Sequence, residues 1–112
     1  MIARIWHGWT TPQNADAYEK LLKETVFPGI EAKQIVGYLG LQLLRRELEQ
    51  EVEFTTIMWF DSIENVKDFT GIEAYEEAYV PDAARALLAR FDAQATHSTL
   101  LHVLAYPQPK PD

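Results

Sequence analysis

Gly37-Tyr38-Leu39-Gly40-Leu41-Gln42-Leu43-Leu44-Arg45-Arg46 and Val52-Glu53-Phe54-Thr55-Thr56-Ile57-Met58-Trp59-Phe60 are two extended runs separated by the polar stretch Glu47 to Glu51. Leu39, Leu41 and Leu43 alternate with their neighbours, which is the period of a strand. The second run is rich in β-branched and aromatic residues. Two such runs joined by a short polar segment make a hairpin. The turn carries no Asn-Gly or Asp-Gly pair, so the sequence leaves its register open.

Upstream, Ile2, Ile5, Trp6, Trp9 and Thr10 mark a strand over residues 2–10, with bulk on both parities. Thr11-Pro12 reads as an N-cap followed by proline in the first helical position. Ala15, Tyr18, Leu22 and Val26 then recur at helical spacing. The helix is expected from Pro12 to Thr25, bent or ended by Pro28-Gly29, with a short turn over Ile30 to Lys33.

Downstream, Asp61-Ser62-Ile63-Glu64 is a helix start, with Ile63, Val66 and Phe69 as its apolar stripe and Gly71 as its stop. Glu73 to Val80 is a short aromatic segment. A further helix is expected from Pro81-Asp82, with Ala84, Leu87, Leu88 and Phe91 on one face. Thr96 to Tyr106 reads as the last strand, and the proline-rich residues 107–112 as a loose tail after one domain over 1–106.

The order is β-α-β-β-α-β, the ferredoxin-like motif of the α+β class: a four-stranded antiparallel sheet with helices on one face. Such a sheet has one polar face, yet several strands here are apolar on both. A second copy of the chain, packed sheet against sheet as a homodimer, is the economical cover.

Composition narrows the function. The 112 residues are 47% apolar and 24% charged, ordinary for one globular domain. Seventeen acidic against ten basic side chains give a net charge of -7, which repels a phosphate backbone and excludes nucleic acid as the expected partner. There is no cysteine, so disulfides, iron–sulfur clusters and thiolate catalysis are excluded. No stretch has the length of a signal peptide's apolar region or a membrane span, and a cytoplasmic protein without membrane contact is expected.

Arg-Ile-Trp-His-Gly-Trp-Thr at 4–10, Phe-Pro-Gly-Ile at 27–30, Gly-Tyr-Leu-Gly at 37–40, Thr-Ile-Met-Trp-Phe-Asp-Ser at 56–62, Phe-Asp at 91–92 and His97 stand in an order and spacing that resemble the antibiotic biosynthesis monooxygenase family. The resemblance covers residues 2–104. It implies a dimeric α+β barrel, with a pocket between sheet and helices in each protomer. It also implies a monooxygenase that acts on a small planar aromatic or quinone-like substrate without metal or flavin. Haem-degrading relatives use an Asn on the first strand, a Trp on the helix after the third strand and a His ligand beyond it. The corresponding positions here fall near Trp6 or His7, Phe69 and Tyr79, so all three depart.

Within that frame, His7 is the expected catalytic base, and Tyr75 and Tyr79, four apart on one face, are expected hydrogen-bond donors to a developing anion. Trp6, Trp59 and Phe69 are the expected walls of the substrate pocket. Arg4, with Arg85, could hold a substrate anion. Each has a plainer reading: an interface histidine, core or interface aromatics including Trp9, a surface ion pair. His97 and His102 lie five apart on the expected last strand, on opposite faces, and no His spacing suits a metal. The alternative function is a non-catalytic dimeric ligand-binding or stress-related protein on the same fold.

Overall fold

The computed structural model describes residues 1–111, apart from the side chain of Ile72. Asp112, the end of the expected tail, lies outside them. The hairpin forms as β2, Tyr38–Glu47, and β3, Val52–Phe60. Its turn is closed by Leu48 N–H donating to the Glu51 carbonyl at 2.8 Å. That turn fixes the open register, with Leu43 opposite Thr56 and Glu47 opposite Val52. β1, Ile2–Thr10, pairs antiparallel with β3 along its whole length.

Alternation along β1 and β3 sorts their residues by face. Arg4, Trp6, Gly8 and Thr10 stand opposite Met58, Thr56, Phe54 and Val52. The buried side chains of β3, Val52, Phe54, Met58 and Phe60, pack with helix residues Ala15, Tyr18, Leu22, Ile30, Val66 and Ala84, so this face is roofed by helices. His7, Trp9, Trp59 and Ile57 belong to the other parity and to the open face. Tyr18 and Phe54 meet edge to face at 4.9 Å in the centre of the core.

The first helical region runs further than expected. α1, Pro12–Leu21, continues through a wider π turn, Leu22–Val26, into α2, Phe27–Ala32. Proline in a helix lacks an N–H and crowds the carbonyl four residues back. The π turn just ahead of Pro28 relieves that clash, so the chain bends without breaking.

α3, Ile63–Thr70, starts at Ser62 and ends at Gly71, whose φ of 99° suits glycine. The N-terminal box is built by Asn65, whose Oδ1 accepts from Ser62 N–H and Ser62 Oγ–H, and not by Glu64. A short 3-10 turn, Ile72–Ala74, opens the aromatic segment.

Two expectations for the C-terminal part are corrected. The helix α4 spans Asp82–Leu87 only, and Leu88–Phe91 is a strand, β4. The free edge of β1 at Gly8 to Thr10 offers backbone partners to Leu88 through Phe91, and that pairing overrides the helical spacing of Leu88 and Phe91. The last strand, β5, covers only Thr96–Thr99. It pairs with the other half of β1, from Ile5 back to Ile2. Leu100 N–H still reaches the Met1 carbonyl. Residues 101–106, His102 among them, pair with no strand among the described residues and stand exposed.

The sheet order is therefore β2-β3-β1-β4, with β5 beside β4 on the β1 edge. The ferredoxin-like α+β arrangement holds, its fourth strand divided in two. Among the described residues, no helix is long and apolar enough to cross a membrane.

Candidate functional site

A cavity lies between the helices and the roofed face of the sheet. It is walled by Trp6, Thr56 and Met58 from the sheet, by Tyr18, Leu22, Val26, Phe27 and Ile30 from the first helical region, and by Tyr79, Val80, Pro81 and Ala84, with Arg4 at its end. The cavity volume is about 50 Å³. One water takes roughly 10–15 Å³, so the cavity holds only a few. It is mostly apolar. No carboxylate and no histidine lines it among the described residues.

Among the described residues, Arg4 is the only fully charged group that lines it. The side chain is 3% exposed. Nη1 donates to the Tyr75 carbonyl at 2.6 Å and meets His97 Nε2 at 3.0 Å. Nη2 donates to the Glu77 carbonyl at 2.8 Å. All these partners are neutral acceptors, and among the described residues no carboxylate pairs with Arg4. Burial lowers its pKa to about 10, which still leaves it cationic at neutral pH. A guanidinium has five N–H donors; Nε–H and one N–H of Nη2 have no acceptor among the described residues. A buried charge without a counter-ion is costly, and an anion in the cavity offsets that cost.

The contact between Nη1 and Nε2 fixes the histidine's state. A donor faces Nε2, so His97 accepts there in its neutral form. Its pKa lies below the ordinary value, through burial first and the Arg4 charge second, with Glu76 pulling the other way.

Trp6 lines the cavity. Its indole N–H donates to the Asp92 carbonyl at 2.7 Å, which locks the ring. Tyr79 lines the mouth, half exposed. Its ring meets Phe69 at 5.7 Å and carries the Lys33 ammonium at 4.7 Å. Phe69 packs behind Tyr79 and over Phe60, one layer away from the cavity. Tyr75 meets Arg4 through its backbone carbonyl, and its ring lies 5.5 Å from His97.

Two of the expected site residues lie on the opposite parity from the cavity. His7 is on the open face, where Nδ1 lies 2.8 Å from Asp92 Oδ2 and Trp9 stacks at 5.9 Å. It cannot reach a proton in the cavity. Trp59 is on the same open face, donating to Gln42 Oε1 at 3.0 Å, and walls nothing. Arg85 stacks over Phe91 at 5.4 Å rather than holding an anion.

Two groups were missed in the sequence, one lining the cavity and one in contact with Arg4. Tyr18 reads there as part of a helical stripe, yet it lines the cavity, and its hydroxyl has no partner among the described residues. Burial raises its pKa, so it stays a donor. His97 carried one signal: its position on a strand after the second helical region, which in a ferredoxin-like sheet lies against the first strand.

No protein-family model matches the sequence, and no curated protein matches it. Solved structures do. One, from Bacillus cereus and named a putative antibiotic biosynthesis monooxygenase, aligns with a TM-score of 0.63 at 12% identity. The alignment covers 94% of this chain and 97% of that one. Another of the same description, from Chloroflexus aurantiacus, aligns with a TM-score of 0.54 at 18% identity, over 93% of this chain and 96% of that one. The chain shares the fold of these proteins along nearly its whole length.

Proposed function

We propose that the chain is a member of the antibiotic biosynthesis monooxygenase family: a homodimeric enzyme that oxygenates a small, planar, ionisable aromatic or quinone-like molecule. The fold it shares with two structures of that description supports the family. The observation that carries the reading is Arg4, a buried guanidinium without a carboxylate partner at the end of an apolar cavity.

The chemistry follows from the lining. With no base in the cavity, the substrate itself must be acidic, and Arg4 stabilises its anion and lowers its pKa. An electron-rich enolate or phenolate reduces dioxygen directly. For an activated methylene, the proton leaves and one electron passes to dioxygen. The radical pair then couples to a hydroperoxide at carbon, which loses water to give a ketone. One CH₂ and one O₂ become one C=O and one H₂O. Trp6, with Phe27 and Met58, supplies a dry apolar wall. Tyr18 supplies a second donor. The space is narrow, so a ring-sized substrate requires its walls to move apart.

The open face supports the dimer. Ile5, Ile57 and Trp59 are half-buried there, and Leu44 is 52% exposed. Sheet-to-sheet packing of two copies covers them.

The narrowness of the cavity favours a second reading, a dimeric ligand-binding protein without turnover. Oxygen uptake with a panel of anthrones and hydroquinones separates the two. The enzyme consumes one dioxygen per quinone formed, and Arg4→Met abolishes this. Uptake no faster than the uncatalysed rate across the panel removes the enzymatic reading.

A further inference from the structure

We infer that Arg4 and His97 form a proton-coupled anion site, in which a flat aromatic monoanion taken by Arg4 draws a proton onto His97. The inference rests on the cavity reading above. It adds the charge class of the ligand, and it names the group that stores the proton.

The geometry is direct. Arg4 and His97 are opposite residues in the β1–β5 register, and Nη1 faces Nε2 at 3.0 Å. The two share one electrostatic environment, while only Arg4 lines the cavity. One guanidinium without a second lining cation matches one negative charge. The apolar walls match a flat ring.

The coupling follows from charge. The Arg4 cation opposes a second positive charge on His97. An anion against Arg4 cancels that opposition, so the imidazole binds a proton more readily. Linkage makes the effect reciprocal: a protonated His97 holds the anion more tightly. The protonated ring also stops accepting at Nε2, which frees an Nη1 N–H for the ligand. The other groups facing His97 are few. Glu76 favours the proton, the Tyr75 ring packs at 5.5 Å, and the neighbours on β5, Thr96 and Ser98, carry no charge.

For an acidic substrate this completes the site. The neutral acid enters and its anion stays on Arg4. The proton balance closes on His97, by exchange through solvent, instead of on a base in the cavity. His97 is a positioning residue and proton store and touches no reacting atom.

The test uses benzenesulfonate, a flat ring with one permanent negative charge, titrated calorimetrically into the full chain between about pH 5 and 8. The expected result is affinity that rises as pH falls, by up to about tenfold per pH unit, the limit for one proton. Proton uptake should appear as binding heat that depends on the buffer. His97→Gln, whose amide oxygen still accepts from Nη1, should bind with an affinity that does not change with pH. Binding by the wild type with no pH dependence, or with the same dependence in His97→Gln, overturns the inference alone. No binding at any pH overturns the cavity reading and the inference with it.

Discussion

A Cβ on Gly8 would stand 2.9 Å from Trp6 Cη2 and 3.0 Å from Leu88 Cδ2. Trp6 and Gly8 are two apart on one face of β1, so the indole lies back over the bare glycine while its N–H holds the Asp92 carbonyl. The cavity wall owes its position to that missing side chain. Gly8→Ala should therefore cost about 1–3 kcal/mol of stability through overpacking, with a shift in tryptophan emission. Urea denaturation followed by fluorescence reads both. An unchanged midpoint would mean that the indole yields freely.

Tyr18→Phe separates packing from function. The ring fills the core against Phe54, but the hydroxyl has no partner among the described residues. Its loss should change stability by less than about 0.5 kcal/mol and weaken benzenesulfonate binding. A destabilisation above about 1.5 kcal/mol, as for a lost buried hydrogen bond to a charged group, would contradict the assignment of that hydroxyl to the cavity.

Gly37 turns the chain into β2 with a φ of 80°, and a Cβ there would fall inside the Asn65 side chain. Asn65 closes the capping box of α3 on Ser62, so the glycine joins the start of the hairpin to the start of the second helical region. Gly37→Ala combines left-handed strain with a clash and should cost about 2–4 kcal/mol. Thermal melting by circular dichroism measures it.

His97 makes stability depend on pH with a definite sign. Its pKa in the fold lies below 6.5, the ordinary value. Above that value the imidazole is neutral in both the folded and the unfolded chain and contributes nothing. As pH falls through it, the unfolded chain takes up the proton first and stability drops. Between pH 7 and pH 5 the wild type should lose more melting temperature than His97→Gln. Equal losses would show that this histidine titrates alike in both states.

The fold was legible because its signals are local. Leu39 to Leu43 alternate, Ala15 to Val26 recur at helical spacing, and Gly71 stops a helix, each from a few neighbouring residues. The errors came where distant pairing decides. Leu88 and Phe91 carry helical spacing, but the free edge of β1 captures them. The apolar Leu101 and Val103 read as strand, but among the described residues the pairing with β1 covers only Thr96 to Thr99. The site depended on one further unknown, the parity of β1. His7 and Trp6 are adjacent, and only the helices' choice of face sends Trp6 into the cavity and His7 to the back. His97 became visible as a partner of Arg4 only once the β1–β5 register was known.

The division of the fourth strand at residues 92–95 gives β1 two independent clients along a single edge. Leu88 to Phe91 brace the half that ends at Thr10, while Thr96 to Thr99 brace the half that bears the guanidinium. Fraying at one half need not spread to its neighbour. Substitutions that retune which guests are admitted can thus accumulate beside Arg4 while the opposite half keeps the molecule folded.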